Sequence, residues 1–445
     1  MQKLLKSQGT WIGKWTFVLA ATGSAVGLGN IWGFPYKAGT EGGAAFVLIY
    51  LVCIVVIGVP IMISEILIGR RSGNSPINAM KISAIDSGKS PMWQLVGWTG
   101  IFAGVLILSF YSVIAGICIN YIFISAFPNE LLSSSEQFGE VISSPSNLLF
   151  WHTLFMFLTM LIVSAGVKDG IGRMVRILMP MLGLLLIFMV IYAMINGAFI
   201  EALAFLFAPN FSNIGTDTFL SAMGQAFFSL SLGMGSIMAY GAYMPKEQDI
   251  VSTSFSVGSL DTLIAIFAGL AIFPIIFLFN LEPGSGPGLV FVSLLSAFNQ
   301  MEFGQLIGPL FFILLSIAAL SSSISILEPG TAYLAEEGFL SRKKSAFLIS
   351  ILCWILGIGT ALGFNIYADS NGENPFLNNV ELISVQILQP FGGMMIAIFV
   401  GWFMNESLVR KEITSQYPVF YKLWRFFIKF IAPLSVAFIF ISQLI

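Results

Sequence analysis

The sequence predicts an all-α integral membrane protein of eleven transmembrane helices, a five-plus-five inverted repeat in which helices one and six are discontinuous. Three observations lead to this prediction. Of the 445 residues, 57% are hydrophobic and only 9% are charged, whereas about 25% of a soluble domain is charged. The apolar residues form runs of about 20, the length that a helix needs to cross a bilayer. Clusters of glycine interrupt the first and the sixth of these runs.

A hydropathy window places eleven spans along the chain, with bounds accurate to about two to four residues. The expected spans are 12–36, 41–69, 93–126, 148–166, 171–196, 217–243, 251–280, 305–335, 345–367, 381–406 and 424–445. Within this single membrane domain, residues 1–196 form the first repeat (spans one to five) and 197–406 the second (spans six to ten). Residues 407–445 hold span eleven.

The basic residues indicate how the chain crosses the membrane. If the N-terminus is cytoplasmic, 19 of the 20 Lys and Arg residues lie in cytoplasmic segments, and Lys37 is the exception. Cytoplasmic loops retain basic residues. We therefore expect a multi-pass protein of the cell (inner) membrane with its N-terminus inside and its C-terminus outside. The first apolar run has no convincing cleavage site, so we expect a retained helix and not a signal peptide.

Composition also excludes several functions. The net charge of −2 gives no indication of a nucleic-acid partner. Cys53, Cys118 and Cys353 lie in apolar runs without metal-ligand spacing, and are expected to be packing residues. His152, the single histidine, opens the predicted span four and is expected at the membrane interface. The oligomeric state stays open.

Two outer loops differ in character. Residues 128–147 are polar and rich in serine and acidic residues, which is typical of an exposed loop. Residues 284–299 begin with glycine and proline and then become apolar. This second segment is either an outer lid or an ordinary surface helix.

The glycine clusters predict where the membrane helices break. Span one contains Gly23, Gly27 and Gly29, and span six contains Gly233 and Gly235. Each glycine destabilises a helix by about 1 kcal/mol. Close helix packing is one reason for such glycines. The other is unwound backbone, which a membrane tolerates only where protein, ions or a ligand satisfy its peptide groups. A polar ligand is therefore expected between the two breaks.

These strings resemble a known family. Residues 23–32 read GSAVGLGNIW, followed by Phe34-Pro35 and by GGAAF at 42–46, and they are similar to the neurotransmitter:sodium symporter family. Residues 224–243 and the serine run 321–323 agree with it, so the resemblance covers essentially the whole chain. It is to the bacterial eleven-helix amino-acid transporter branch with the leucine-transporter-like fold. The resemblance implies a sodium-coupled symporter that imports an amino acid by alternating access, using one or two Na⁺ ions.

The resemblance also implies two sodium sites. The first uses the carbonyl of Ala25 and the side chains of Asn30, Ser229 and Asp261, with the substrate carboxylate as a further ligand. The second uses the carbonyls of Gly23, Val26 and Ala318 and the hydroxyls of Ser321 and Ser322.

Asp261 carries a prediction about chloride. An ionised carboxylate in the membrane needs a partner, so this residue indicates a bound cation or a protonated side chain. Chloride-dependent relatives have a neutral residue here and a serine nearby, where this chain has Ala265. Chloride is therefore not expected as a cofactor.

The resemblance assigns the substrate contacts as well. The amides of Leu28 and Gly29 lie at a positive helix end, and with the Tyr111 hydroxyl they would bind a carboxylate. The carbonyls of Ala25, Phe228 and Ser229, with Ser231 nearby, would bind the ammonium. The substrate side chain would contact Ile107, Phe228, Met234, Ser322 and Ile326. This set carries no charge, so we expect a neutral aliphatic or aromatic amino acid; leucine, tryptophan and tyrosine stay open.

The gates depart from the family pattern. The outer arginine and aspartate positions hold Gly33 and Glu381. Lys37 lies one turn beyond Gly33, so either Lys37 pairs with Glu381 to close the gate or it pairs with Glu41 on the surface. On the inner side, Trp11, Tyr243 and Glu336 match gate positions, but Gln8 replaces the family arginine. Lys6 or Lys14 would then supply the charge.

Three further positions match the family. Gly170 and Pro180 have the spacing that lets the start of span five unwind, and Glu65 is expected to hold the unwound part of span six.

Two alternative functions stay open: a proton-coupled carrier that titrates Asp261 or Glu65, and a substrate sensor that does not transport. The sequence offers no paired carboxylates, metal motif or Ser/Lys or Cys/His arrangement in facing spans, so an enzyme is not expected.

Overall fold

The computed structural model describes residues 14–211, 214–281, 288–413 and 418–442. Throughout these ranges the regular structure is helical, as predicted, and no strand occurs in them. Among the described residues, eight helices are long and apolar enough to cross a membrane, and nine if the bent pair of span one counts as one span. Span six, which is broken into two short helices, and span eleven complete the set of eleven.

The spans keep their predicted order. They are Lys14–Ala25 with Gly29–Thr40, Ala44–Ser72, Pro91–Ala126, Pro145–Ser164, Val167–Asn196, Thr216–Ser229 with Ser236–Ala242, Ile250–Leu278, Gly304–Glu336, Arg342–Gly363, Pro375–Phe403 and 418–442. Five shorter helices lie in the loops: Pro76–Asp86, Ser134–Ser143, Phe199–Phe207, Leu289–Gln300 and Glu406–Ile413.

The largest error in a predicted bound, six residues, occurs at the start of span ten and again at the start of span eleven. Span ten begins at Pro375, because the Asn374 side chain accepts a hydrogen bond from the Leu377 amide at 3.0 Å and caps the helix. The first turn contains Asn378 and Asn379, which a hydropathy window excludes. Glu381 therefore lies inside the helix and not at its start.

Two expectations about loops need correction. Residues 128–147 are not only an exposed loop, because they contain the helix Ser134–Ser143, which begins with a capping box formed by Ser133 and Glu136. In the second segment, residues 284–287 lie outside the described residues. The rest forms the helix Leu289–Gln300, whose side chains Leu289, Phe291 and Phe298 are buried against the protein.

The prediction that His152 lies at the interface is wrong. Span four begins at Pro145, so His152 lies about two turns inside it, and its side chain is buried. The Nε2 atom lies 3.2 Å from the Trp354 carbonyl in span nine. A Cβ on Gly357 would meet the imidazole at 2.5 Å, so this glycine makes room for the ring. His152 is a packing residue between spans four and nine.

Span three lies directly against the broken part of span six. A Cβ on Gly100 would be 3.1 Å from the carbonyl oxygen of Gly233. Because glycine has no side chain, the two backbones approach each other closely here. The unwound segment is therefore enclosed by protein, and this enclosure positions the site.

Candidate functional site

Span one is interrupted at residues 26–28, and its two halves meet at an angle of 55°. The peptide groups released there find partners. The Leu28 amide donates to the Tyr111 hydroxyl at 3.2 Å, and the Gly27 amide donates to Asn30 Oδ1 at 3.1 Å. The break thus meets the requirement that membrane-buried backbone be hydrogen-bonded.

Span six is unwound at residues 230–235, where Ser231, Gly233 and Gly235 have positive φ angles of 52°, 76° and 80°. One side chain and one backbone carbonyl from other parts of the bundle bind this segment. Glu65 accepts a hydrogen bond from the Gly233 amide at 2.8 Å, the contact expected from the sequence. The Ser231 hydroxyl donates to the Ser24 carbonyl at 2.8 Å and so links the two breaks.

The first cluster of polar side chains surrounds Asp261, whose exposed fraction is 0%. Its Oδ1 accepts a hydrogen bond from Asn30 Nδ2 at 2.7 Å. Its Oδ2 accepts from the hydroxyls of Ser229 and Tyr50, each at 3.1 Å. Spans one, two, six and seven therefore converge on one carboxylate. We call these four residues the Asp261 cluster.

Sequence reasoning missed Tyr50. Its hydroxyl lies in the otherwise apolar run 44–59, where a buried polar group needs a partner. That isolated hydroxyl is the signal that would have indicated its role.

The second cluster joins span one to span eight. Ser322 donates to the carbonyls of Ser24 and Val26 at 3.2 and 3.1 Å. Ser321 donates to the carbonyl of Ala318 at 3.0 Å and lies 3.5 Å from that of Val26. Gly23 is close by, since a Cβ there would be 3.5 Å from Ser321 Cβ and 3.0 Å from the sulfur of Met179 in span five. All five predicted residues of the second sodium site therefore lie together.

Span five approaches this cluster near the predicted Gly170–Pro180 segment. Its first turn, Val167–Ile171, is a π-helical turn that follows Gly166, whose φ is 100°. Pro180 lies within the helix, directly after Met179. The start of span five is thus irregular, and one of its side chains touches the second cluster.

A cavity of about 20 Å³ lies between the two breaks. It is lined by Ala25, Gly27, Gly29, Ile107, Tyr111, Phe228, Ser229, Ser231, Met234, Ser322 and Ile326. Ten of these are residues predicted to bind substrate; the remaining predicted residue, Leu28, adjoins the cavity through its bond to Tyr111. A cavity of this size holds one water molecule but no amino acid. Substrate therefore requires the apolar lining to move.

A second cavity of about 620 Å³ opens above the first, and we call it the vestibule. It lies toward helices Ser134–Ser143 and Leu289–Gln300, the expected outer side, and Phe138 and Phe291 from these helices line it. Tyr111 and Phe228 line both cavities and separate them. The path from this side is therefore open as far as Phe228.

Lys37 and Glu381 face each other across the vestibule. Among the residues that the structure describes, no ion pair within 4.0 Å joins them. Both Glu381 and Glu41 attract Lys37, and the attraction of Glu381 is the stronger of the two. Gln225, which sequence reasoning missed, lies next to Gly33 and donates to the Gly29 carbonyl at 2.7 Å.

The opposite side is closed by a buried ion pair. Arg342 donates to both carboxylate oxygens of Glu328, at 3.0 and 2.5 Å, and the Tyr243 hydroxyl donates to Glu328 at 2.8 Å. The exposed fraction of the Glu328 side chain is 0%. Glu328 was missed, although an acidic residue inside an apolar span is itself a signal of a functional site.

The other predicted inner-gate residues are not part of this ion pair. Glu336 accepts a hydrogen bond from the Ser75 amide at 2.8 Å. Trp11, Gln8 and Lys6 lie outside the described residues, as does the side chain of Lys14.

Comparisons with known proteins identify the family and the fold of this chain. The model of the sodium:neurotransmitter symporter family matches residues 8–135 and 132–445. The sodium-dependent transporter YhdH of Bacillus subtilis (strain 168) is 35% identical over 442 residues, covering 97% of this chain and 97% of that protein. A sodium-dependent transporter of Haemophilus influenzae is 34% identical over 453 residues, covering 99% of both chains. The crystal structure of MhsT in complex with L-phenylalanine is similar with a TM-score of 0.88 and 42% identity, covering 98% of this chain and 99% of that one.

Proposed function

Because the chain belongs to the sodium:neurotransmitter symporter family, we propose that it imports a neutral, hydrophobic amino acid together with sodium by alternating access. Proteins of this family are transporters and not enzymes. The observation that carries the proposal is the Asp261 cluster, a fully buried carboxylate beside a cavity between two broken helices. The Asp261 carboxylate would bind a sodium ion, and that ion would bind the substrate carboxylate in turn. This shared contact would couple the transport of ion and substrate.

Sodium is the proposed partner of the Asp261 carboxylate. A buried charge is costly unless it is paired, and three donors orient this carboxylate for a cation. The proposed ligands are the Ala25 carbonyl and the side chains of Asn30, Ser229 and Asp261. In the structure Asn30 Oδ1 accepts one hydrogen bond, from the Gly27 amide, and its second lone pair is available to a sodium ion.

The second cluster would bind a further sodium ion, which makes one or two ions per cycle. The carbonyls of Gly23, Val26 and Ala318 and the hydroxyls of Ser321 and Ser322 are hard oxygen donors that suit an alkali cation. This site contains no carboxylate, so we expect it to bind sodium more weakly than the first. The ratio of sodium to substrate flux tests the number of ions.

The substrate carboxylate is assigned to the amides of Leu28 and Gly29 and to the Tyr111 hydroxyl. The Leu28 amide already donates to Tyr111, and a carboxylate would take the place of that oxygen as the acceptor. The ammonium would bind the carbonyls of Ala25, Phe228 and Ser229. The amino acid bound by MhsT, L-phenylalanine, supports this substrate class.

The cavity lining supports a neutral side chain. It contains no charged residue, and Ile107, Met234 and Ile326 form its apolar part. A charged substrate side chain would be buried there without a partner. The flexible thioether of Met234 allows the cavity to enlarge for ligands of several sizes.

Two gates would alternate. Contact between Lys37 and Glu381 would close the vestibule once substrate is bound. On the cytoplasmic side, Trp11, Tyr243 and Glu336 are the proposed gate residues, and the Glu328–Arg342 pair adds to them.

The entry of sodium supplies the free energy for uptake, because one charge that crosses 100 mV contributes about 2.3 kcal/mol. The proposed orientation in the cell membrane has the N-terminus inside and the C-terminus outside.

Uptake by purified protein in proteoliposomes tests the proposal. We expect accumulation of labelled leucine, phenylalanine, tryptophan or tyrosine, and not of lysine or glutamate, when sodium is high outside. Replacing sodium by choline at fixed pH is expected to abolish uptake. Uptake that continues in choline and follows a proton gradient would instead support the proton-coupled alternative, with Asp261 or Glu65 as the titrating group.

Two further measurements complete the test. Sodium-dependent binding of an amino acid without any uptake would indicate the other alternative, a substrate sensor that does not transport. Replacing chloride by gluconate is expected to leave uptake unchanged, because the Asp261 carboxylate supplies a fixed negative charge and Ala265 offers no hydroxyl to an anion. Loss of uptake in gluconate would contradict that expectation.

A further inference from the structure

The end of span ten meets the middle of span eleven in a close contact, far along the chain from the transport site. Each span has a π-helical turn there, Phe399–Phe403 in span ten and Phe427–Ile431 in span eleven. A Cβ on Gly401 would lie 3.2 Å from the Ile428 carbonyl oxygen, so glycine allows the two backbones to approach. π-helical turns also occur at five other places in the described helices, so the turns alone do not mark a site. The side chains around this contact distinguish it.

Two hydrogen bonds fix the contact and place two cations on one face. Arg425 donates from Nη1 to the Val400 carbonyl at 2.6 Å. The Trp402 indole donates to the Lys429 carbonyl at 3.0 Å, and the Lys429 ammonium lies 5.0 Å from the centre of the Trp402 ring. Because residues four apart share a helix face, Arg425 and Lys429 are neighbours.

These cations have no anionic partner of their own. Within the described ranges, neither Arg425 nor Lys429 forms an ion pair within 4.0 Å. The Nε atom of Arg425 is buried and without a hydrogen-bond partner. Glu406 influences Arg425 but is already hydrogen-bonded to Arg410 at 2.8 Å. The local charge is therefore positive and incompletely paired.

The position of Lys429 makes an unpaired charge costly. It lies about 16 Å along the helix that begins at residue 418. A lysine near the cytoplasmic end of a membrane span needs an anionic partner or must extend to the head-group region. One side of Lys429 is covered by the Trp402 ring, and the side chain is partly exposed.

The surroundings have the character of a lipid-binding surface. The rings of Trp402, Phe426 and Phe430 are exposed by 54%, 49% and 41%. Phe430 packs edge-on against Trp402, with ring centres 5.3 Å apart, and Phe426 lies 5.6 Å from Phe430. A row of exposed aromatic rings beside two cations matches a molecule with apolar chains and an anionic head group.

We propose that the surface formed by Trp402, Arg425, Phe426, Lys429 and Phe430 binds one anionic phospholipid. The phosphodiester accepts hydrogen bonds from Arg425 and Lys429, and the acyl chains lie along the three aromatic rings. Basic pockets between membrane helices are typical sites for such head groups. The proposal is independent of the transport function, because it depends only on the membrane fold.

Native mass spectrometry of the purified full-length protein tests this site. The probes are phosphatidylglycerol, phosphatidylcholine with the same acyl chains, and inorganic phosphate. We expect one phosphatidylglycerol to bind more tightly than phosphatidylcholine. Lys429→Met keeps the length of the side chain and removes its charge, and is expected to weaken phosphatidylglycerol binding by about fivefold.

Two variants serve as controls. Lys344→Met removes an exposed lysine at the start of span nine and is expected to leave phosphatidylglycerol binding unchanged. Lys429→Arg keeps the charge and is expected to retain binding, which separates the loss of charge from a general disturbance of the fold.

Three results would overturn the proposal. The first is equal binding of phosphatidylglycerol to the wild type and Lys429→Met. The second is equal binding of phosphatidylcholine and phosphatidylglycerol, which would make the cations irrelevant. The third is displacement of the lipid by inorganic phosphate at equal concentration, which would identify a site for a free anion.

Discussion

Replacing Asp261 by asparagine is the sharpest test of the proposed sodium site. The substitution keeps the shape of the side chain. One oxygen remains to accept the hydrogen bond from Asn30, which is 2.7 Å long in the structure. The new NH₂ group faces the hydroxyls of Tyr50 and Ser229, which turn to accept from it. Asp261→Asn is therefore expected to fold, and to lose the negative charge alone.

The expected loss of sodium-binding free energy follows from the removal of this negative charge. Opposite unit charges 4 Å apart attract each other by about 4 kcal/mol at an effective dielectric constant of 20. The asparagine oxygen retains part of the interaction, so we expect a loss of about 2 to 4 kcal/mol. Since 1.4 kcal/mol corresponds to a factor of ten, the sodium affinity should fall by about 30- to 1,000-fold.

The assay is sodium-dependent binding of labelled substrate to purified protein, titrated with sodium at constant ionic strength. Asp217→Asn makes the same chemical change at an exposed position in span six and is the matched control. If Asp261→Asn required sodium within threefold of the wild-type concentration, its carboxylate would not be a sodium ligand, and the reasoning would fail.

Three other substitutions test the remaining contacts. Tyr50→Phe keeps the ring packed 5.1 Å from Phe34 but removes a hydrogen bond to a charged group, a loss of about 1.5 kcal/mol or more. The sodium-free protein should therefore unfold at a lower temperature, and an unchanged melting temperature would contradict the role of the hydroxyl. Lys37→Met is expected to lower the uptake rate by impairing outer closure, and unaltered uptake and substrate affinity would favour pairing with Glu41. Glu328→Gln leaves Arg342 buried without its counter-charge, which costs about 3 to 5 kcal/mol of folding stability. The control, Asp86→Asn, breaks an exposed ion pair worth under about 1 kcal/mol. In thermal unfolding, the melting temperature should therefore fall much further for Glu328→Gln than for Asp86→Asn.

Ten of the eleven residues that line the cavity between the two breaks were named from the sequence, because they belong to motifs that the fold requires. Gly27 and Gly29 break span one and Gly233 breaks span six, so their positions follow from backbone chemistry. Once the two breaks are located in the sequence, the neighbouring residues of spans one and six that line the cavity are located as well. Tyr111 and Ile326 lie on continuous helices, and the family resemblance located them.

The missed residues share a different property. Tyr50, Gln225 and Glu328 act through hydrogen bonds to groups distant in the sequence. A polar residue within an apolar span signals that it has a role, but the local sequence does not identify its partner. His152 was misplaced for a related reason. Hydropathy began span four at residue 148, but Pro145 starts the helix. An error of three residues moved a buried histidine to the membrane surface.

The second cluster indicates how an ion would select one conformation. The carbonyls of Gly23 and Val26 belong to span one. The Ala318 carbonyl and the two hydroxyls belong to span eight, where Ser322 donates to the carbonyls of Ser24 and Val26. A cation between them needs oxygen lone pairs from both sides, so the hydroxyl hydrogens must turn away. The ion then replaces hydrogen bonds by stronger contacts that still join the two spans. A ligand shifts a conformational equilibrium only by its differential affinity for the two states. Sodium bound at this place would therefore favour the arrangement seen here, in which spans one and eight touch and the vestibule is open.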